Sequence, residues 1–364
     1  MRNAVYDGGQ YNEEIRMKKS LQIMLVTCVV FCITGNGFAS EDTPTLTIMT
    51  HDSFSASKPV VAEFEKQHRI KLQFLKTGDA GAALNQAILS KSNPMADVFF
   101  GVDNTFLSRA LMADIFEPYD SPLLAKIPAH LKSDPENRLL PVDFGDVCLN
   151  YDKKWFAQKK LPPPAVLEDL VKPEYKGLAV VENPATSSPG LAFLLATVGH
   201  FGEKGYLDFW KKLRGNDVQV VDGWKEAYWG QFSAASKGTR PIVVSYASSP
   251  PAEVHFAEKP LTEATTAALT APGTCFRQTE FVGILKGTKN LTLAQKLVDF
   301  MLGKSFQEDI PLQMFVFPAN PEAVLPEVFV KYAKIAKEPV LLSADAIDAN
   351  REKWIEAWTE TVLR

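Results

Sequence analysis

The stretch Glu182-Asn-Pro-Ala-Thr-Ser-Ser-Pro-Gly-Leu-Ala-Phe-Leu-Leu-Ala-Thr-Val-Gly-His-Phe201 joins two chemistries in one run. Its first half is a polar turn, and its second has the length and apolar content of a buried helix. Ser187 or Ser188 suits the N-cap, Pro189 suits the first helical position where no N–H is required, and Gly190 leaves room for another group against the backbone. The unpaired N–H groups and dipole at such a helix end can receive an anion or a hydroxyl. An ordinary capped helix accounts for the run equally well, so the rest of the chain must decide. Upstream, Leu178–Val181 reads as a buried strand, which makes the whole a strand, turn and helix, one unit of an α/β fold.

The same alternation runs before and after it. Thr45–Thr50 is an apolar strand ending at His51-Asp52-Ser53-Phe54; Lys58–His68 carries Val60, Val61 and Phe64 at helical spacing; Ile70–Leu75 is a second strand that runs into Lys76-Thr-Gly-Asp79-Ala-Gly81. A helix over Ala82–Ser90 and a strand over Ala96–Phe100, ending at Gly101-Val-Asp103-Asn104, complete the first unit. Leu139–Tyr151 is extended, Gly202–Arg214 helical, Val218–Val221 a strand, and Ile242–Ser245 a strand ending at Tyr246. Phe276–Leu285 reads as a returning strand, followed by helices over Leu291–Leu302 and Ser305–Ile310, the aromatic segment Met314–Pro318, and helices over Glu327–Lys337 and Ala344–Leu363. Such alternation predicts mainly parallel sheets covered on both faces, with ligands at the carboxyl ends of the strands. The expected plan is two α/β lobes joined by a two-crossing hinge: residues 44–147 plus 275–364 as lobe 1, and 148–274 as lobe 2.

Composition narrows the function. The 364 residues are 46% hydrophobic and 23% charged, an ordinary globular balance long enough for two domains. The formal net charge is −4, which excludes nucleic acid as the expected partner. Lys18 and Lys19 precede the apolar run Ser20–Phe38, and Gly37-Phe38-Ala39 supplies small residues at −3 and −1 of a cleavage site. Residues 1–39 therefore read as a leader and secretory signal, with Met17 as the expected start, and the protein as periplasmic or extracytoplasmic. Two cysteines remain beyond the signal, Cys148 and Cys275, in a compartment where a pair oxidises. A disulfide between them is the first expectation, two separate buried thiols the second. No Cys/His set has zinc-ligand spacing, so no metal site is expected.

The candidate contacts follow from chemistry at the strand ends. Asp79 sits in a glycine-flanked turn, where a carboxylate can meet a cation, although Asp is common in turns for local reasons. His51 and Asp103 close two other strands, with Asp52 beside the first. Trp224, Tyr228, Trp229 and Tyr246 offer flat faces that attract cationic rings; any one of them alone is more often a core residue, and their place at strand ends is what favours the cleft. Ser187, Ser188, Ser248 and Ser249 are hydroxyls without a Gly-x-Ser-x-Gly elbow or a histidine tied to them by motif. There is no Walker loop, His-Glu-x-x-His or calcium loop. No catalytic residue and no cofactor are expected.

Six runs, Leu-Thr-Ile-Met-Thr-His-Asp-Ser-Phe (46–54), Ala-Asp-Val-Phe-Phe-Gly-Val-Asp-Asn (96–104), Asn-Pro-Ala-Thr-Ser-Ser-Pro-Gly-Leu (183–191), Gly-Trp-Lys-Glu-Ala-Tyr (223–228), Val-Val-Ser-Tyr-Ala-Ser-Ser-Pro (243–250) and Phe-Gln-Glu-Asp-Ile-Pro (306–311), carry a resemblance. In this order and spacing the sequence resembles the periplasmic thiamine-binding proteins of ABC importers, a branch of the type II solute-binding proteins. The resemblance implies a periplasmic-binding-protein-like type II fold, a monomeric two-lobe trap that closes on thiamine or its phosphates and delivers the ligand to a membrane permease. It also implies site roles: Asp79 near the cation, Ser187 and Ser188 at the hydroxyl or phosphate tail, and Trp224, Tyr246 and Phe315 lining the cleft. His51 stands where the family often has Tyr, Phe315 where it often has Trp, and Ala252 where a ring can stack on the ligand. Trp229 or Phe317 would then compensate. The rival readings are a same-fold trap for ferric iron or a polyamine, and a secreted hydrolase using Ser188 or Ser249. Iron traps of this kind usually rely on adjacent tyrosines, and Tyr246 is followed by Ala247. A polyamine calls for more carboxylates than Asp52, Asp79 and Asp103.

Overall fold

A computed structural model describes residues 43–364. The leader and signal assignment to residues 1–39, with Met17 as start, lies outside the described residues. The strands, in chain order, are β1 (Thr45–Thr50), β2 (Lys71–Lys76), β3 (Val98–Asp103), β4 (Phe116–Glu117), β5 (Leu140–Asp152), β6 (Ala179–Glu182), β7 (Gln219–Val221), β8 (Ile242–Tyr246), β9 (Thr266–Leu269), β10 (Phe276–Leu285) and β11 (Phe317–Pro318). They form a path β2-β1-β3-β10-β5-β8-β6-β7, with β4 on β10 and β9 and β11 on β5. The sheet is mixed: β2, β1 and β3 are parallel, as are β7, β6 and β8, while β10 and β5 run antiparallel to their neighbours.

The long strand β5 explains how two α/β units share one sheet. Its first half pairs with β10 and β11, and its last residues pair with β8 and β9. Cys148 and Cys275 are joined by a disulfide where β5 leaves β10. Both faces of the parallel strands are buried. On β1, Leu46 and Ile48 enter one core while Met49 enters another; on β3, Val98 and Phe100 alternate with Phe99 in the same way, until the irregularity at Gly101 turns Val102 to the side of Phe99. This period of two is what a covered parallel sheet requires.

Local chemistry sets the helices. Ser57 caps Lys58–His68 by accepting the Val60 N–H, and Arg69 closes it in the left-handed conformation. Ser187, the cap of the quoted stretch, accepts the Gly190 N–H at 3.3 Å, with Pro189 in the first turn. That helix and the one expected at Gly202 run on as Ser188–Gly215, broken only at Gly202, whose φ of 71° no ordinary helical residue adopts.

Three sequence expectations shift. β3 extends to Asp103, because Gly101 at φ 110° lets the strand continue past the expected end at Phe100. The helix expected over Glu327–Lys337 stops at Tyr332. Beyond it the chain is pulled out straight: the Lys334 N–H goes to the Ala247 carbonyl and the Ala336 N–H to Asp146 at 2.6 Å. β9 was not anticipated; in Thr-Ala-Ala-Leu only Thr266 is a β-branched strand former, and the segment is held by β5 instead. Among the described residues, no helix is long and apolar enough to cross a membrane.

Candidate functional site

The strand ends converge on a cleft of about 250 Å³. The β1 terminus brings His51, followed by Ser53 and Ser55; the start of the helix Ala80–Leu89 brings Asp79 and Ala80; the start of Ser188–Gly215 brings Ser188 and Pro189. Trp224 and Trp229 come from the segment after β7, Tyr246 from the end of β8, Phe256 from the turn after it, Glu280 from β10, and Gln313 to Val316 from the segment before β11. Among the described residues no lysine or arginine lines it.

Asp79 is the most constrained of these groups. It is 8% exposed; Oδ1 accepts the Ala80 N–H at 2.7 Å and Oδ2 accepts the Trp224 N–H at 2.9 Å. The second bond spans 145 residues of sequence and ties the start of one helix to the segment after β7. Gly223 makes it possible, since a Cβ there would lie 2.9 Å from Asp79 Oδ2. Burial raises the Asp79 pKa, and the nearby His51, the two N–H donors and Ser187 pull it back only in part. A carboxylate so placed gains from any cation that enters.

Beside Asp79 stands an aromatic group. Trp224 stacks on Tyr228 with centroids 5.0 Å apart and planes 18° apart, and its Nε1–H donates to Ser245 Oγ at 2.9 Å. Tyr228 in turn donates to Glu253, which also accepts the Thr266 hydroxyl at 2.6 Å; burial pushes Glu253 up to about 7. Trp229, Phe256 and Phe315 form a second group, with Phe256 6.0 Å from Trp229 and 5.5 Å from Phe315. Phe315 has a φ of 56°, a strained setting for a bulky side chain that orients its ring at the cleft.

Of the residues singled out from sequence, His51, Asp79, Ser188, Trp224, Tyr246 and Phe315 stand together on the lining. Ser187, Asp103 and Tyr228 stand behind it. Ser187 is fully buried and spends its hydroxyl on the helix cap and Asp79. Asp103 accepts from Thr105 and, at 2.5 Å, from Gln278 Nε2; burial raises it to about 7. Gln278 also bonds Ser188 and accepts the Tyr246 hydroxyl at 2.9 Å, so Asp103 reaches the cleft only through that amide. Tyr228 backs Trp224.

Sequence reasoning missed Glu280 and Phe256. Glu280 was legible as an acid in the middle of the apolar strand Phe276–Leu285. Phe256 lies four residues after Ala252, one helical turn on, so a ring absent at 252 is supplied there. Of the two compensating rings expected, Trp229 lines the cleft, whereas Phe317 stacks on Phe144 in a separate groove. His51 Nε2 is 3.4 Å from Glu280 Oε1, close enough for ion pairing. Burial lowers the His51 pKa, but Glu280, Asp79 and Asp52 outweigh it and the net direction is up. Among the described residues no group of three or more His, Cys, Asp and Glu is arranged to hold a metal ion.

A mixed sheet of two α/β units with a polar and aromatic cleft at the strand ends defines a solute-binding protein. The chain belongs to the bacterial extracellular solute-binding protein family, whose profile matches residues 93–337; this is a family of binding proteins and not of enzymes. It is similar to the thiamine-binding periplasmic protein of Brucella suis, 32% identical over 352 residues that cover 94% of this chain and 99% of that protein. The thiamine-binding periplasmic protein of Escherichia coli is 31% identical over 353 residues, covering 96% and 100%. Among solved structures, a periplasmic thiamin binding protein superimposes with a TM-score of 0.78 at 28% identity, covering 89% of this chain and 98% of that one. The ferric binding protein of Campylobacter jejuni, at 19% identity, TM-score 0.70 and coverage of 87% and 99%, shares the fold.

Proposed function

We propose that this chain is the periplasmic solute-binding component of an ABC importer, that it captures thiamine or thiamine phosphates in the cleft, and that it hands them to a membrane permease. It works as a monomer and without catalysis. Residues 44–147 with 275–364 form one lobe and 148–274 the other, and the β5 and β10 strands are the hinge about which they close. The observation that carries the ligand assignment is the lining itself: the carboxyls of Asp79 and Glu280 share one cleft with the aromatic side chains of Trp224, Trp229 and Phe256, and among the described residues no lysine or arginine lines it. That is the complement of a flat organic cation such as a thiazolium. Asp79 supplies charge and the rings supply cation–π attraction of about 0.5–2 kcal/mol each when desolvated. Ser188 and the N–H groups at its helix end are the donors for a hydroxyl or phosphate tail.

Ferric iron is the rival that the fold relatives raise. Tyr246 argues against it: its hydroxyl donates to Gln278, and burial together with Glu280, Asp103, Asp79 and Asp143 holds its pKa well above normal, the reverse of what a phenolate ligand needs. Titration calorimetry of the protein with thiamine, thiamine phosphates, spermidine and ferric citrate tests the assignment. Thiamine at a hundredfold excess over its Kd should stabilise the fold by about 2.7 kcal/mol. A melting temperature unmoved by every thiamine form would overturn it.

A further inference from the structure

Asp143 has no place in the cleft just described, and its setting is unusual. It is 1% exposed, and as an ionised carboxylate it would find no hydrogen-bond donor for either oxygen. In the antiparallel pairing of β5 with β10, Asp143 lies directly opposite Glu280. Such partners share one face of the sheet with Cβ atoms roughly 5 Å apart. The carboxyl that faces Asp143 is therefore that of Glu280, which itself lines the cleft. Two carboxylates this close in a dry site repel, whereas one proton between them makes a strong O–H···O bond.

We propose that Asp143 is a positioning residue of the cleft: it holds a proton that it donates to the Glu280 carboxylate, aims that carboxylate at the ligand, and releases the proton to solvent when a cation is captured. The last step rests on the reading of the cleft as a cation site.

The surroundings agree. Burial, and after it Glu280, hold Asp143 well above the usual carboxylate range. Around the pair stand His51 from the end of β1, Asp79 from the helix start and Asp103 from β3, all of which with Glu280 and Asp143 act on the Tyr246 hydroxyl or on each other. β11, the other neighbour of β5 here, brings only Phe317 and Pro318. On the helix Lys304–Gln313, Glu308 is taken by Lys304 and Asp309 accepts the Ser57 N–H. His51 is thus the one base facing the acids. A cation near Glu280 favours two ionised carboxyls over one, so the proton leaves on binding, and affinity rises with pH by up to about tenfold per unit for each proton released. His51 sheds its proton in the same direction, so mutation must separate the two.

Infrared spectroscopy of the ligand-free protein should show the absorption of buried protonated carboxyls, to which Asp103, Glu182 and Glu253 also contribute, and the wild-type minus Asp143→Asn difference should contain the one band that Asp143 supplies. Asparagine still donates to Glu280, so this variant keeps the bond and removes the titration. Calorimetry with thiamine in buffers of different ionisation enthalpy, from about pH 6 to about pH 8, should then count more protons released by the wild type than by Asp143→Asn, the remainder being those of His51. Should Asp143→Asn fail to fold, Glu280→Gln gives Asp143 a donor and should also lose the band. A band unchanged in both variants, or equal proton release with and without Asp143, overturns the proposal. If thiamine does not bind while the band is present and lost in the variants, the ligand assignment falls and the shared proton stands. If thiamine binds and the band is absent, the reverse holds.

Discussion

Replacing Asp79 by asparagine separates the cleft's charge from its shape. Asp79 uses both oxygens, one for the Ala80 N–H and one for the Trp224 N–H, at 2.7 and 2.9 Å. Asparagine has one acceptor, so its NH2 must face one of those donors. Losing that bond should cost about 1–2 kcal/mol of stability, or a few degrees of melting temperature in a protein of this size. The charge is a separate loss. At 4 Å and an effective dielectric of 20, two unit charges attract by about 4 kcal/mol. Asp79 is already desolvated before ligand arrives, so most of that attraction is available to a cation; part of it is lost to stripping water from the cation itself. A net loss of about 2–3 kcal/mol corresponds to a Kd roughly 30- to 150-fold weaker. Calorimetry should be run with thiamine and with the aminopyrimidine alcohol that forms its uncharged half. Thiamine should lose the full factor and the neutral fragment less than about threefold. Equal losses for both ligands would mean that Asp79 acts only by holding Ala80 and Trp224 in place, and the electrostatic reasoning would be wrong.

Trp224→Ala should weaken thiamine by about tenfold or more, since it removes a cation–π face and uncovers Tyr228, while Trp224→Phe retains most of the affinity; calorimetry reads both. Replacing Cys148 and Cys275 together by serine opens a loop of 127 residues and should cost about 2–4 kcal/mol in urea unfolding, with thiamine affinity changed far less. Glu253, raised by burial to about 7 from an ordinary 4.5, contributes stability that is complete below pH 4.5 and is lost as pH rises through about 7. After allowance for its partial exposure the loss is about 1–2 kcal/mol, and denaturation of Glu253→Gln between those limits should show a flatter pH profile than wild type.

The order of elements was legible because hydrophobic period and turn chemistry agree along most of the chain. Ser187, Pro189 and Gly190 mark a helix start that the structure contains, with Ser187 of the two candidate serines as the cap and Pro189 second in the helix instead of first. The misplaced ends have physical causes outside the local sequence. Nothing around Tyr332 announces that Asp146, far away in the chain, will take the Ala336 N–H and straighten the segment. The site divides in the same way. Asp79, His51 and Tyr246 could be placed because they follow strands, and strand ends meet in such folds. Ser187, Asp103 and Tyr228 follow the same rule and yet face inward, because each is bound by a neighbour that only tertiary packing supplies: the Gly190 N–H, Gln278 and Glu253. Glu280 went unnoticed for the opposite reason. A strand interior predicts core, and only the pairing with β5 and the position of His51 show an acid there to be part of the cleft.

Those inward-facing groups bear on how the cleft recognises charge. Asp79, Asp103, Asp143, Glu182 and Glu280 are all buried, with His51 the single buried base among them. Burial is the leading cause that raises Asp79, Asp103, Asp143 and Glu182, and Glu182, 1% exposed, has no donor for either oxygen. A core built for stability alone would replace such groups with apolar ones, since unpaired buried charge is costly. Their cost falls when a cation lies among them, because its field favours the ionised forms that burial disfavours. The same acids repel a phosphate tail, so its binding has to rest on Ser188 and the helix end, where the dipole opposes them. On the proposed reading of the cleft as a cation site, its selectivity for positive charge follows from this set of buried carboxyls, whose ionised forms a bound cation favours.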